Sequence, residues 1–587
     1  MDWKRFDRAR ESATPVELDL IEHYAQGKIR RRDFVKRGTI IGLSMPFMGS
    51  IIAACGGDDD DATPSVTDPP GDATGEDTGG SATTDEEPTS TSPPTAGGSL
   101  IVAIQQGDAN SGLDPVNMVD LGTYNVISQS FEFLVGLGDD GNIAPTALAT
   151  AWTPNEAGDV WTFDLRPGVM WQNGGEFTSA DVAATMDRLV AKANAGLAGV
   201  IEEGAVDASD PTKAVFTLVE ANGNFPVLVS IFNAQSAITP ADYSDGTTLD
   251  ARPDGTGAWM LDSFDPSTFV TRFVRNPDWW GGQTPLDSIE LRGFADLSTA
   301  ITAMQSRDID VIQQFTVLGG SGLLDDPNFT VLTPPAATHR EVWFNTQQSQ
   351  FTDKRIRQAI AWAVDRQFMV DTLFQGRAEV GNDHPVLSSL PFYDPDAVEQ
   401  RVPDLELSAQ LLADAGADGI TTGLATGDIL EIPQLGAIIQ QNLAAVGIDV
   451  TVNTQSNSTF YSDAWCPGPN ADDPTLPCDN SAEFGIVDYG HRPTPDVFLG
   501  SALSTGGVWN SSNWTNPDFD ARLSEYRRAT DVAGQKAAIG EIQKILWDEV
   551  PIVMPYFYNY LSGHDNSVTG VQATALGHTI VSQASKA

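Results

Sequence analysis

Apolar positions in the stretch 433–453, "PQLGAIIQQNLAAVGIDVTVN", change period partway along. Leu435, Ile438, Ile439, Leu443 and Val446 recur at helical spacing, Gly447 follows as a stop, and Ile448, Val450 and Val452 then alternate as in a strand. "STAITAMQSRDIDVIQQF" repeats the plan, with Ile301 and Met304 on a helix face ahead of a strand over 309–312. Helix-then-strand units of this kind predict α/β layers. The most regular helical pattern is "FTDKRIRQAIAWAVDRQFMVDTLFQG", where Ile356, Ala359, Ile360, Ala363 and Val364 make one stripe and Gly376 ends it, which predicts a single helix. Earlier, "VWTFDLRPGVMWQNGGEF" predicts a strand over 161–165 and a turn at Pro167 and Gly168. The helix of "TSADVAATMDRLV" follows, capped by Thr178 or Ser179.

The N-terminal pattern differs. From 38 to 54 an apolar run of 17 residues is broken by Gly42, Pro46 and Gly49, at or below the length of a stable bilayer span. Basic residues before it and small residues after it predict a secretory signal. Arg31 and Arg32, in "RRDFVK", resemble the twin-arginine export motif, and "IAAC" resembles the bacterial lipobox. The second resemblance implies a lipid on the Cys55 thiol and cleavage that leaves Cys55 as the new N-terminus; the alternative is an ordinary signal with an unmodified thiol. Residues 56–97 hold eleven Asp or Glu and no Lys or Arg. Such a segment buries too little surface to offset its ordering entropy, and a disordered acidic tether is expected over 55–97.

The remaining body, about 98–587, is long enough for two or more domains. A net charge of −47 with no basic stripe argues against nucleic acid as a partner. Besides Cys55 there are only Cys466 and Cys478, flanking the Pro- and Asp-rich loop "CPGPNADDPTLPC"; in an oxidising compartment these are expected to pair. The six histidines, at 23, 339, 384, 491, 564 and 578, make no metal spacing, so neither a metal site nor a cofactor is expected. No nucleophile elbow, Walker loop, zinc-protease or dinucleotide motif is present, and an enzyme is not expected.

The segments "LDPV", "FEFLVGLGDDGNIAPTALATAW", "WTFDLRPGVMWQNGGEFTSADV", "GTGAWML", "RNPDWWGG", "VWFNT", "FTDKRIRQAIAWAVDR" and "VDYGHRPTPDVFL" together resemble the family 5 extracytoplasmic solute-binding proteins of ABC importers, across nearly all of 98–570. The resemblance implies a two-lobed, periplasmic-binding-protein-like α/β fold that closes on its solute about a hinge. Lobe I would span 98–338 with an extra subdomain inserted at about 141–254, lobe II would span 339–555, and 556–587 would return to lobe I. It also implies that Asp488 anchors the α-amino group of a bound peptide, with Tyr489 beside it. Arg492 stands where an acidic residue is common; it either takes a ligand carboxylate or pairs with Asp488 or Asp496. Trp343 and Asn345 lie on one face of the hinge strand and either contact the ligand or pack in the core. Trp509 and Trp514 either wall the pocket or pack away from it, and His384 either faces the cleft or is structural.

The function so implied is capture of a short peptide outside the membrane by a lipid-anchored monomer that works with an ABC permease and ATPase. Alternatives are another solute, such as a nickel chelate, haem, an oligosaccharide or an opine-like compound, or a surface sensor or adhesin.

Overall fold

The computed structural model describes residues 97–587 apart from 109–111, 119, 195, 418, 467–477 and 479. Arg31, Arg32, Cys55 and the tether up to residue 96 therefore lie outside the described residues.

The first sheet grows around Ser99–Gln105, whose inward positions Leu100, Val102 and Ile104 are buried. This strand lies parallel to both Ser288–Phe294 and Val311–Phe315. Parallel neighbours need a crossover, and the helix Leu297–Gln305 supplies it, burying Ala300, Ile301 and Met304. Val270–Arg275 and Trp259–Asp265 extend one edge antiparallel. On the other side Leu561–Asp565, from near the end of the chain, inserts antiparallel between Val311–Phe315 and Phe329–Leu332. The first lobe is thus completed by a strand that arrives after the whole second lobe has been built. Within the first lobe, Ala149–Pro154, Val160–Leu165, Lys213–Thr217 and Val206–Asp207 form a separate four-stranded sheet. Against it packs the helix Ser179–Ala191, with Thr178 as N-cap and the Thr178 amide donating to Asp181 at 2.7 Å.

The second sheet is built on His339–Phe344, all six residues of which are buried. It pairs antiparallel with Phe484–Tyr489, Ile552–Val553 and Tyr556–Tyr558, while Thr421–Gly427 runs parallel to Phe484–Tyr489 and to Asp449–Gln455. The helix–strand pair expected there is Ile432–Ala444 and Asp449–Gln455, and Gly447 turns between them at φ +84°. The chain crosses between sheets through 333–338 and back through 559–560. The return lies a few residues later than the expected boundary at 555, because Tyr556 and Tyr558 are bonded into the second lobe by their hydroxyls.

The helix expected to run unbroken after residue 353 is two helices, Lys354–Ala363 and Arg366–Phe374. The apolar stripe is as expected, with Ile356, Ala359, Ile360, Ala363 and Val364 all buried. The break comes from polar side chains: Asp365 caps the second helix through the Phe368 amide, and the buried Arg366 guanidinium donates to the carbonyls of Ala361 and Val364 at 3.0 and 3.4 Å. Arg366 thereby satisfies carbonyls that a continuing helix would have bonded itself. Among the described residues no helix is long and apolar enough to cross a membrane.

Candidate functional site

Where the first crossing enters the second lobe, the register sets His339 opposite Tyr489 and Arg340 opposite Asp488. Strand alternation then separates two polar groups.

On one face lies Arg340, its side chain fully buried. Its Nε sits 2.9 Å from Glu431 Oε1, its Nη2 donates to Glu431 Oε2 at 3.1 Å, and its Nη1 donates to the Tyr558 hydroxyl at 2.9 Å. Glu431 also accepts the Tyr556 hydroxyl at 2.8 Å. This network is closed on itself and locks the two strands that carry the lobe crossings. Asp488 stands at the end of the same face, half-buried, and accepts a hydrogen bond from the Tyr461 hydroxyl. Arg340 is ion-paired with Glu431 and meets the Asp488 carboxylate only at longer range, so Asp488 has no ion pair among the described residues.

On the opposite face are His339, Glu341 and Trp343. His339 and Tyr489 pack at 5.4 Å between ring centroids, and Trp509, half-buried, stacks on Tyr489 at 5.9 Å. Glu341 is 1 % exposed and its Oε2 has no hydrogen-bond partner; burial alone pushes its carboxyl up to about 8.

Beyond the strand, Arg492 Nη1 donates to the His491 carbonyl at 2.9 Å, and Asp496 is paired with Arg527 at 2.6 Å. Neither ion pair open to Arg492 in the sequence is formed. Its guanidinium is half-buried without a counter-ion among the described residues, and burial pulls its pKa below the ordinary value. His491 Nδ1 accepts the Ala337 amide at 3.0 Å, tying this loop to the crossing segment; burial, and then Arg492, push the His491 pKa down to about 3. The imidazole is neutral at physiological pH.

Other expected residues stand elsewhere. Trp343 is fully enclosed, its indole donating to the Ala482 carbonyl at 2.9 Å and its ring filling the space a Cβ at Gly485 would take. Asn345 is also fully enclosed, its Oδ1 accepting the Gln347 amide at 3.1 Å. In this conformation both are packing residues. His384 is 2 % exposed beside Gln543, at 3.3 Å, and burial pushes its pKa down to about 4. It is a neutral internal residue, not one that faces a cleft. Trp514 packs on Phe519. Trp279 and Trp280 form a turn whose two indoles donate to the two carboxylate oxygens of Glu132 at 3.1 and 2.7 Å. Cys466 and Cys478 are joined in a disulfide, both buried. Among the described residues no group of three or more His, Cys, Asp or Glu is placed to hold a metal ion. Arg340, Glu341, Glu431 and Tyr461 were not among the site residues expected from the sequence. The available signal was a charged pair, Arg340 and Glu341, inside an otherwise apolar strand beside a lobe crossing.

Two α/β lobes joined by two short crossings, with polar groups gathered at the join, define a two-lobed solute-binding protein. The model for "Bacterial extracellular solute-binding proteins, family 5 Middle" matches residues 145–471, more than half of the chain. The chain belongs to this family, whose members are the substrate-binding components of ABC importers and bind solutes without transforming them. The glutathione-binding protein GsiB of Shigella boydii is 25% identical over 480 residues, covering 80% of this chain and 91% of its own. Heme-binding protein A of Haemophilus influenzae is 24% identical over 474 residues, covering 75% and 84%. The unliganded open form of MppA, a periplasmic murein tripeptide binding protein, superposes with a TM-score of 0.74 at 21% identity, over 84% of this chain and 99% of its own.

Proposed function

We propose that the protein captures a short peptide between its lobes and hands it to an ABC permease, with the peptide's ammonium at Asp488 and its carboxylate at Arg492. The observation that carries this reading is a pair of opposite charges, four positions apart and both half-buried, that no ion pair among the described residues satisfies. A binder that accepts many sequences draws its affinity from groups every peptide shares, and the two termini are the strongest of these. In a closed, water-poor cleft each makes a charge-assisted hydrogen bond. Trp509 stacks on Tyr489 on the opposite face of the strand and takes no part in this anchor. Both groups belong to the second lobe, so a ligand seated on them favours closure only through further contacts that it makes with the first lobe. The name of the glutathione-binding relative GsiB supports a peptide-like ligand, while that of heme-binding protein A points to the alternative.

The same reading has the chain exported on Arg31 and Arg32, acylated at Cys55 and held as a monomer outside the cytoplasmic membrane by the acidic tether. Its support is the order of the three sequence features. A tether keeps the binder near its permease by effective concentration. Cys55→Ser releases the protein from the membrane fraction if this is right, and retention of that variant contradicts it. Native mass spectrometry of the protein purified without unfolding tests the ligand: a copurified mass of a short peptide is expected, and a haem or metal chelate in its place overturns the proposal.

A further inference from the structure

A cavity of about 410 Å³ lies between the inserted subdomain and the second lobe, near the small end of the range for small-molecule sites. Trp152, Trp161 and Phe232 line it from the subdomain, and Leu387, Leu390 and Phe392 from the second lobe. Its two walls are fastened to each other. The Gly223 amide donates to the Arg527 carbonyl at 2.9 Å, Asn142 Nδ2 donates to the Ser389 carbonyl at 3.1 Å, and Asn224 Oδ1 accepts Gln535 Nε2 at 2.9 Å. A Cβ at Gly223 would stand 1.7 Å from the Ala529 carbonyl oxygen, so the approach of the two bodies is built around a glycine.

The loop that carries Arg492 lines the same cavity. His491, Pro493 and Thr494 are part of its wall, and Arg492 sits between the first two. The Arg492 guanidinium turns back over Gly490, its Nη1 3.8 Å from where a Cβ there would lie. The chain neighbours of Arg492 on both sides, His491 and Pro493, are thus cavity wall, although the guanidinium itself does not line the cavity. Asp140 also lines the space. The Asn142 side chain and amide hydrogen-bond the Asp140 carboxyl, which lowers its pKa and keeps it ionised.

We infer that this cavity is a subsite for a bulky apolar group attached next to the ligand's carboxylate, and that it discriminates against an acidic group there. For a peptide this means a C-terminal residue with an aromatic or large aliphatic side chain. The inference rests on the proposed role of Arg492 and adds the substrate class that the termini alone do not specify.

Isothermal titration of the purified chain with Ala-Ala-Phe, Ala-Ala-Gly and Ala-Ala-Glu at pH 7, on wild type and Leu390→Trp, tests it. Burying a phenylalanine side chain is worth enough to tighten binding of Ala-Ala-Phe over Ala-Ala-Gly by roughly tenfold to hundredfold. Ala-Ala-Glu should bind more weakly than Ala-Ala-Gly. Leu390→Trp fills the cavity and should erase the phenylalanine advantage while leaving Ala-Ala-Gly unchanged. Val227→Phe fills it from the opposite wall and serves if melting shows Leu390→Trp to be unfolded. Equal affinity for the three peptides, or an advantage that survives both fillings, overturns the subsite alone. Failure of all three to bind overturns the peptide reading and the subsite with it.

Discussion

Glu341 gives the folded chain a dependence on pH that a single substitution isolates. Its carboxyl is 1 % exposed, Oε2 lacks a hydrogen-bond partner, and burial raises its pKa from 4.5 to about 8. Ionisation is therefore opposed in the folded chain and free in the unfolded one. The folded value lies above the unfolded value, so the contribution is fully present below about 4.5 and is lost as pH rises to about 8. That interval corresponds to roughly 4 to 5 kcal/mol at about 1.4 kcal/mol per pH unit. Glu341→Gln keeps the shape of the side chain and removes the titration. The two proteins should be close in stability near pH 5, and the variant should gain steadily until it leads by several kcal/mol above pH 8. Urea unfolding at six or seven pH values between 4.5 and 9 reads the difference. His339, His384, His491 and His578 titrate in both proteins and cancel. Parallel curves for the two chains would refute the assignment of a buried, unpaired carboxyl.

Arg340→Met should destabilise the chain by roughly 3 to 5 kcal/mol in urea, since it leaves Glu431 buried without its cation, and adding Glu431→Leu should recover most of that loss. Replacing Cys466 and Cys478 by serine should cost roughly 2 to 3 kcal/mol for a closed loop with a separation of 12 residues. Wild-type melting in reductant should then match the variant.

Elements with an uninterrupted period were legible from the sequence. The helix Ile432–Ala444 and strand Asp449–Gln455 follow from spacing alone, because burial of one face fixes both. The break at Val364 and Asp365 was not legible from the apolar stripe, which continues through it; the break depends on where one buried guanidinium finds its carbonyls. The site divides in the same way. Asp488 and Arg492 were named from a segment that resembles the family's, and their unpaired charges then emerge from tertiary pairing. Arg492 is left alone because Arg527 takes Asp496, and Asp488 because Glu431 takes Arg340. Such exclusions depend on partners distant in the chain. Trp343 lies on the strand and Asn345 just past its end, and alternation does not say whether side chains there meet a cleft or the core. Here they meet the core.

The proposed function turns on Asp488 holding the ammonium of a peptide. The most direct measurement is isothermal titration of one tripeptide with a free amino terminus, and of its N-acetylated form, against wild type and Asp488→Ala. Wild type should bind the free tripeptide, acetylation or Asp488→Ala should each weaken binding by about 30-fold or more, and the two losses should not add. Unchanged affinity in Asp488→Ala, or tight binding of the acetylated peptide by wild type, would contradict that role for Asp488.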